Sequence, residues 1–378
     1  MTRRRWEVNA TLPVSFSVEH VDDLLSSDDI RLVTNSFGQV GGRRLVVVDE
    51  RVYELWGSRI DQYFIHHSVD YHIVPIACSE TLKDLDTLMT ILGAMESFQL
   101  LRQSEPVVAI GGGVLLDAVG FAASIYRRGV PYIRVPTTLL ALVDASVGAK
   151  TSVNHFGRRN RLGAYHVPVA SYLDRTFLTT LERVEFSNGL AEILKMSLIK
   201  DRRLFELLEA SGRDLIDERF QRADLASEVI DRAITTMLEE LEPNLWEKEL
   251  KRSVDFGHSF SPMIEMRALP ELSHGQAVTL DVLFSCLLCH RRGLLSLGEL
   301  ERIIATVERL ELPVFHPLFG DPEVLCEALA DTVLHRNGNQ NLPMVPTIGS
   351  VTFFDDVTAK EIEQSAMAFR ELLGDRER

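Results

Sequence analysis

Glu192, His258 and His274 are of residue types that could together hold a catalytic metal. Two histidines and a carboxylate form the three-ligand set that leaves a zinc ion one open position for substrate. Glu192 stands in Gly189-Leu190-Ala191-Glu192-Ile193-Leu194-Lys195, read as the first turn of a helix that follows Ser187-Asn188-Gly189. Buried among Leu190, Ile193 and Leu194, its carboxylate needs a partner. As an N-terminal helix charge it would simply complement the helix dipole. His258 follows Phe256-Gly257, and His274 lies in Leu272-Ser273-His274-Gly275 just ahead of an apolar helical pattern. Either histidine alone also reads as a hydrogen-bonded structural residue, and only the fold can bring the three together.

A second group of residues could hold phosphates. Ile110-Gly111-Gly112-Gly113 follows a strand-like run and precedes the helical pattern Val114 to Ile125, with Asp117 one turn in. Glycines at such a turn let phosphate oxygens approach backbone amides, and the helix N-terminus adds partial positive charge. The same turn can serve structure alone. Thr137-Thr138 could add hydroxyl donors after the strand Tyr132 to Val135, and Asp49, which ends the strand Leu45 to Val48, is placed to bind a ribose. Together these favour a dinucleotide. Arg127-Arg128, Lys150, Arg158-Arg159-Asn160-Arg161 and Lys195 supply positive charge in a chain of net charge −15, which reads as an anion site. Cys286 and Cys289 have CxxC spacing but lie inside an apolar helix with no second pair, so core packing is the reading. His66-His67 lacks an acidic neighbour and is left unassigned.

The elements that must position these residues fall into two halves. In residues 1–175 short β-branched runs (Leu45 to Val48, Tyr71 to Pro75, Pro106 to Ile110, Tyr132 to Val135) alternate with helical segments such as Leu82 to Phe98. That pattern predicts βαβ units and a parallel sheet, an α/β domain. In residues 176–378 apolar residues recur at three- and four-residue spacing over Leu190 to Ala210, Leu225 to Leu241, Ala277 to Arg292 and Leu300 to Leu310, predicting an all-α domain. No linker rich in Pro, Gly or Ser separates them, so the halves should pack closely. The 378 residues allow two or three domains at roughly 150 each. A net charge of −15 disfavours nucleic acid, whose binding needs a basic face. No apolar run approaches the about 20 residues of a membrane span. The basic start Met1 to Arg5 has no apolar stretch behind it, the charged tail Glu371 to Arg378 reads as a solvated end, and four cysteines suggest a reducing compartment, by default the cytoplasm.

The ordered motifs carry a resemblance. Gly111-Gly112-Gly113 with Asp117, Tyr126-Arg127-Arg128-Gly129, Val135 to Leu140, Val143-Asp144 through Lys150-Thr151, Gly189 to Glu192, Phe256-Gly257-His258 and His274-Gly275 occur in sequence over roughly residues 45 to 350. The chain resembles the sugar phosphate cyclases of the dehydroquinate synthase superfamily. Asn244 to Glu247, Asp255 to Pro262 and His335 to Pro343 are similar to its sedoheptulose 7-phosphate branch, the valiolone synthases. Arg159, Gln276 and Asn337 stand where that branch carries Lys, Glu and Asp. The resemblance implies an N-terminal nucleotide-binding α/β domain, a helical metal-binding domain, a cleft between them and a homodimer. It implies that NAD contacts Asp49, Glu80, Lys83, Gly112, Gly113, Asp117, Thr137 and Thr138, with Lys150 shared between cofactor and substrate. Glu192, His258 and His274 would hold one divalent metal, zinc or alternatively cobalt. Arg128, Asp144, Lys150, Asn160, Lys195, Lys251 and Arg336 would line the pocket of a small sugar phosphate, its phosphate near Arg128, Lys150 and Asn160. The implied chemistry is transient oxidation, loss of phosphate, re-reduction, ring opening and aldol closure, with no net redox. A metal-dependent polyol dehydrogenase would share the metal and dinucleotide but would not need the phosphate cations. Pro262, Met237 and Asp255 replace a histidine, a lysine and an asparagine of dehydroquinate synthase, changes that suit a substrate without a carboxylate.

Overall fold

The computed structural model describes residues 5–374. The first four residues of the basic start and the last four of the charged tail lie outside them.

Continuous apolar runs form the centre of a sheet buried on both faces. β2 (Arg43–Asp49), β4 (Val107–Gly111) and β5 (Tyr132–Pro136) bury nearly every residue, and with β1 (Ser17–Val21), β3 (Asp70–Ile76) and β8 (Ala170–Asp174) make a six-stranded parallel sheet of order β1-β8-β5-β4-β2-β3. α1 (Glu50–His66), α2 (Leu85–Ser97) and α3 (Gly113–Ile125) are the crossovers. The apolar runs mark β2 to β5, but not the flanking strands. β1, Ser-Val-Glu-His-Val, is half-exposed and carries charge. An antiparallel hairpin, β6 (Lys150–His155) and β7 (Arg158–Tyr165), is also unmarked, because β7 is mostly polar and half-exposed. The hairpin leaves the sheet and reaches toward the second half of the chain.

That half contains α4 (Arg183–Ile199), α5 (Arg202–Asp217), α6 (Ala223–Leu241), α7 (Ser261–Ala268), α8 (His274–Arg291), α9 (Leu297–Arg309), α10 (Pro322–His335) and α11 (Ala359–Leu373). The pattern Leu190 to Ala210 spans two helices, because Asp201 ends one register and caps α5 by accepting from Leu204 N at 3.0 Å. An antiparallel pair, β9 (Leu342–Thr347) and β10 (Ser350–Phe354), adds the one sheet of this half among the described residues. α4 is buried from Phe186 to Ile199 and α8 from Ala277 to Cys289, so both are apolar around their circumference and form the centre of the core. Cys286 and Cys289 sit within it, fully buried.

α4 and α8 touch where they bring the candidate ligands together. A Cβ on Gly275 would lie 2.4 Å from the carbonyl oxygen and 2.6 Å from the Cα of Asn188. Backbone cannot rotate out of the way, so any side chain there must separate the helices. Gly275→Val is expected to lower the unfolding free energy at the upper end of the about 1–3 kcal/mol range for overpacking. Urea denaturation checks it: the midpoint should fall at constant slope, whereas an unchanged midpoint would mean that the two helices move apart freely.

Candidate active site

Glu192 lies in the middle of α4 and not in its first turn, since the helix begins at Arg183. Gly189 marks a close approach inside the helix: a Cβ there would sit 2.5 Å from Leu139 Cγ and 2.7 Å from Leu140 N. The carboxylate therefore faces no free helix terminus, and the dipole reading of Glu192 is removed. Its two oxygens are buried without a hydrogen-bond partner, with the Lys195 ammonium one turn on in ion-pair contact with Oε2. His274 is the first residue of α8, fixed by a capping box between Ser273 and Gln276. His258 lies in the loop before α7, and that loop is pinned from three sides. Asp281 on α8 accepts from Phe260 N at 2.6 Å and Ser261 N at 2.8 Å, Ser261 Oγ donates to Gly257 O at 2.6 Å, and Thr332 Oγ1 donates to Ser259 O at 2.7 Å.

The Nε2 atoms of His274 and His258 lie 3.3 Å and 3.7 Å from Glu192 Oε1, and one ligand atom from each of the three residues falls within 4.8 Å of the others. Burial, then the charge of Lys195, pushes the His258 imidazolium down to about 3, so the ring is neutral and its lone pair free. Glu265 Oε2 is 3.0 Å from His274 Nδ1. An Nδ1–H donated to it leaves Nε2 facing Glu192 as a lone pair, the carboxylate–histidine arrangement of metal sites. Burial raises the Glu265 carboxyl, but Arg159 and the two histidines outweigh it and hold it at about 2. An orphaned buried carboxylate and two imidazole edges turned toward it fit a divalent cation.

A cavity of about 1040 Å³ opens from this cluster to the C-terminal ends of the parallel strands, where open α/β sheets bind ligands. Asp49, Glu80, Lys83, Gly112, Gly113, Asp117, Thr137 and Thr138 all line it. Gly112 caps α3, and the Thr137 hydroxyl is buried with no partner. Asp49 caps α1 through Oδ1, which accepts from Arg51 N at 2.9 Å and Val52 N at 3.2 Å. Buried Lys83 bridges Asp117 Oδ2 at 2.6 Å and Asn160 Oδ1 at 2.7 Å, so Asn160 is tied to the side of the cavity formed by the strand ends.

Across the cavity, the segment from Asp144 to Lys150 is held from beneath. Arg134 Nη1 on β5 donates to Gly148 O at 2.6 Å, and Ser171 Oγ on β8 donates to Ser146 O at 2.7 Å. Burial and then the charge of Glu192 push the Asp144 carboxyl up. Burial opposes the Lys195 ammonium, but Glu192 and Asp144 outweigh it and raise the group. Lys150 Nζ pairs with Glu247 Oε1 at 2.9 Å, and Tyr165 donates to Glu247 Oε2 at 3.1 Å. Arg252 pairs with both Glu247 and Asp255, and Arg336 stands 3.5 Å behind Asp255. Asp255 and Met237 reach the cavity wall; Pro262 sits in the first turn of α7, away from it.

Three residues expected in the pocket do not line the cavity of this chain. Arg128 is exposed at a left-handed turn, Lys251 is exposed with its ammonium 4.8 Å over the Phe353 ring, and Arg336 is buried behind Asp255, donating to Gln340 O and Asn341 O. Glu265 and Arg252 went unnoticed in the sequence. Arg252 and Asp255 have the i,i+3 spacing of an ion pair, a local signal, but Glu265 meets His274 only through the fold.

Family models for the 3-dehydroquinate synthase N-terminal and C-terminal domains match residues 73–188 and 189–335. The chain is 51% identical over 379 residues to a 2-epi-5-epi-valiolone synthase of Actinoplanes sp., covering 99% of this chain and 95% of that one. The chain belongs to the dehydroquinate synthase family of sugar phosphate cyclases. Within this family, the structure of ValA, a 2-epi-5-epi-valiolone synthase from Streptomyces hygroscopicus with NAD+ and Zn2+ bound, superposes with a TM-score of 0.93 at 46% identity, covering 97% of this chain and all of that one. A probable glycerol dehydrogenase of Sinorhizobium meliloti, 13% identical with a TM-score of 0.66 and covering 96% and 99% of the two chains, shares the fold alone.

If Glu192, His258 and His274 form one ligand set, each alanine variant loses bound metal along with turnover while the wild-type cyclase holds one equivalent. Metal content per chain after dialysis reads this out. A variant that keeps its full equivalent removes that residue from the set.

Proposed function

We propose that the chain cyclises sedoheptulose 7-phosphate to 2-epi-5-epi-valiolone, releasing inorganic phosphate with no net redox, as a phosphate-eliminating carbon–oxygen lyase. The observation that carries this reading is the convergence of Glu192 with His258 and His274, the two histidines lining a cavity that also opens onto the glycine turn at Gly112 and onto Lys150. Kinship to 2-epi-5-epi-valiolone synthases over nearly the whole chain gives the substrate class. Bound NAD supplies a reversible hydride acceptor, and zinc held by the three ligands supplies Lewis acidity. NAD lies along Asp49, Glu80, Lys83, Gly112, Gly113, Asp117, Thr137 and Thr138. Lys150 and Asn160 anchor the phosphate, and Lys150 must exchange Glu247 for it. Lys195 faces charge that develops on the substrate oxygen. Asp144, its carboxyl raised by burial, can hold a proton beside that oxygen. Oxidation of a hydroxyl acidifies the neighbouring C–H, the C–O bond to phosphate breaks, the hydride returns, the ring opens, and an intramolecular aldol bond closes the carbocycle. We place the domain division between residues 175 and 176. Family kinship supports a homodimer, and four free thiols support a reducing, cytoplasmic compartment.

Turnover should therefore release one phosphate per substrate while absorbance at the NADH band stays flat; steady NADH accumulation would make the chain a dehydrogenase. The substrate carboxylate of dehydroquinate synthase would meet Met237 and Asp255 where that enzyme offers a lysine and an asparagine. A missing charge-assisted hydrogen bond costs about 1.5–3 kcal/mol, so kcat/KM for the carboxylated heptulosonate phosphate should fall at least about tenfold below that for sedoheptulose 7-phosphate. Comparable values would assign the chain to another branch of the family.

A further inference from the structure

Arg159 reaches from β7 into the rear of the ligand cluster and is not itself a candidate ligand. Its Nη1 lies 3.0 Å from Glu265 Oε2 and 2.6 Å from His274 Nδ1, while its Nε stands 3.4 Å from Glu80 Oε1 without a hydrogen bond. Glu265 Oε2 is thus shared between two donors, His274 Nδ1 and Arg159 Nη1, and Glu265 Oε1 has no partner. We propose that Arg159 is a positioning residue that loosens the metal site, weakening its hold on the ion so that the ion keeps more of its charge for the substrate. The inference rests on the ligand set proposed above.

Three effects act in the same direction. A carboxylate that accepts from Nδ1–H makes the opposite ring nitrogen a stronger donor to a metal. A guanidinium on the same oxygen draws that charge away. The second effect is the contact between Nη1 and Nδ1. When His274 points a lone pair at an ion through Nε2, its Nδ1 carries a proton, and two N–H groups then face each other at 2.6 Å. The contact is favourable only in the other tautomer, which places the proton on Nε2 opposite Glu192 and cannot ligate. Glu265 and Arg159 therefore favour opposite tautomers, and metal binding must adopt the one that Arg159 opposes. Third, a fixed cation beside a ligand ring repels a dication directly. An ion held by weaker donors polarises a bound hydroxyl more strongly, which is the use of a loosened site. The planar fork of arginine can face Glu80 and Glu265 together, whereas the ammonium of lysine is a single point charge.

The test is zinc affinity, measured by competition with a chelator on the full-length chain, for wild type, Arg159→Met, Arg159→Lys, Glu265→Gln and the Arg159→Met/Glu265→Gln double variant. Arg159→Met should bind zinc about tenfold more tightly and Glu265→Gln about 10–100-fold more weakly, the range for partners of metal-bound histidines. Arg159→Lys should fall between wild type and Arg159→Met. In the Glu265→Gln background the Arg159→Met change should shrink, since the shared carboxylate charge is gone. Zinc binding by folded Arg159→Met equal to or weaker than wild type overturns the proposal. Should that variant fail to fold, Arg159→Lys decides in its place, and wild-type affinity there is equally fatal. Glu192→Ala is the control: full zinc occupancy in it would overturn the ligand set, and with it the proposal, whatever the Arg159 variants show.

Discussion

A carboxylate sealed into the apolar centre of the helical half is the constraint on which the other features of the site depend. Glu192 is 1% exposed, and neither oxygen is hydrogen-bonded. Leaving a buried charge uncompensated costs about 3–5 kcal/mol, so charged and polar partners must be gathered around it. Burial raises its carboxyl, yet Lys195 and the two histidines outweigh burial and hold it well below the usual carboxylate range. Each of those partners needs its own fixed position. Lys195 obtains one by lying a single turn further along α4, His274 by opening α8 where Gly275 touches Asn188, and His258 by the hydrogen bonds that pin its loop. Glu265 then orients His274 from behind. The apolar packing of α4 on α8 and the polar geometry of the cluster are consequences of the same close contact.

The α/β half contributes chiefly by where its strands end. Asp49 ends β2, and Gly112 and Thr137 follow β4 and β5, so neighbouring parallel strands deliver three residues to one edge. The β6–β7 hairpin connects this edge to the helical half. It carries Lys150 at its start and Arg159 and Asn160 on its second strand, and these join Glu247, Glu265 and Lys83 respectively. A parallel sheet alone presents one wall of a cleft. The hairpin supplies the lateral wall and places its cations between two carboxylate-bearing halves.

The legible part of the molecule was the part whose signal is local. β2, β4 and β5 are buried on both faces, so their apolar runs mark them, and the helices of the second half declare themselves by three- and four-residue spacing. β1 and β7 carry polar residues at sheet edges and in the hairpin, where the apolar pattern fails. Gly189 looked like a helix boundary, because a glycine needed for close packing and a glycine that ends a helix are the same letter. Glu192, His258 and His274 were found by residue type and motif. Glu265 was not, because its meaning depends on α7 and α8 placing it against the ring of His274. Arg128, Lys251 and Arg336 show the opposite limit: a motif position does not specify which way a side chain points in one chain.

Most of the cavity's cations already face an internal carboxylate: Lys83 with Asp117, Lys150 with Glu247, Lys195 with Glu192, Arg159 with Glu265. An anionic ligand that draws on any of these four cations must exchange partners, and burial decides which pair yields. Lys195 and Glu192 are 3% and 1% exposed; parting such a pair costs about 3–5 kcal/mol, more than one new hydrogen bond from a phosphate returns. Lys83 is equally enclosed. The side chain of Lys150 is 61% exposed, where an ion pair contributes about 0–1 kcal/mol, and a doubly charged phosphate outbids the single charge of Glu247 for it. The same cluster thus contains deeply paired cations and an exposed pair, Lys150 with Glu247, that an anion can part at lower cost. The division between them follows from depth in the cavity, since all are bound to acids of the same kind.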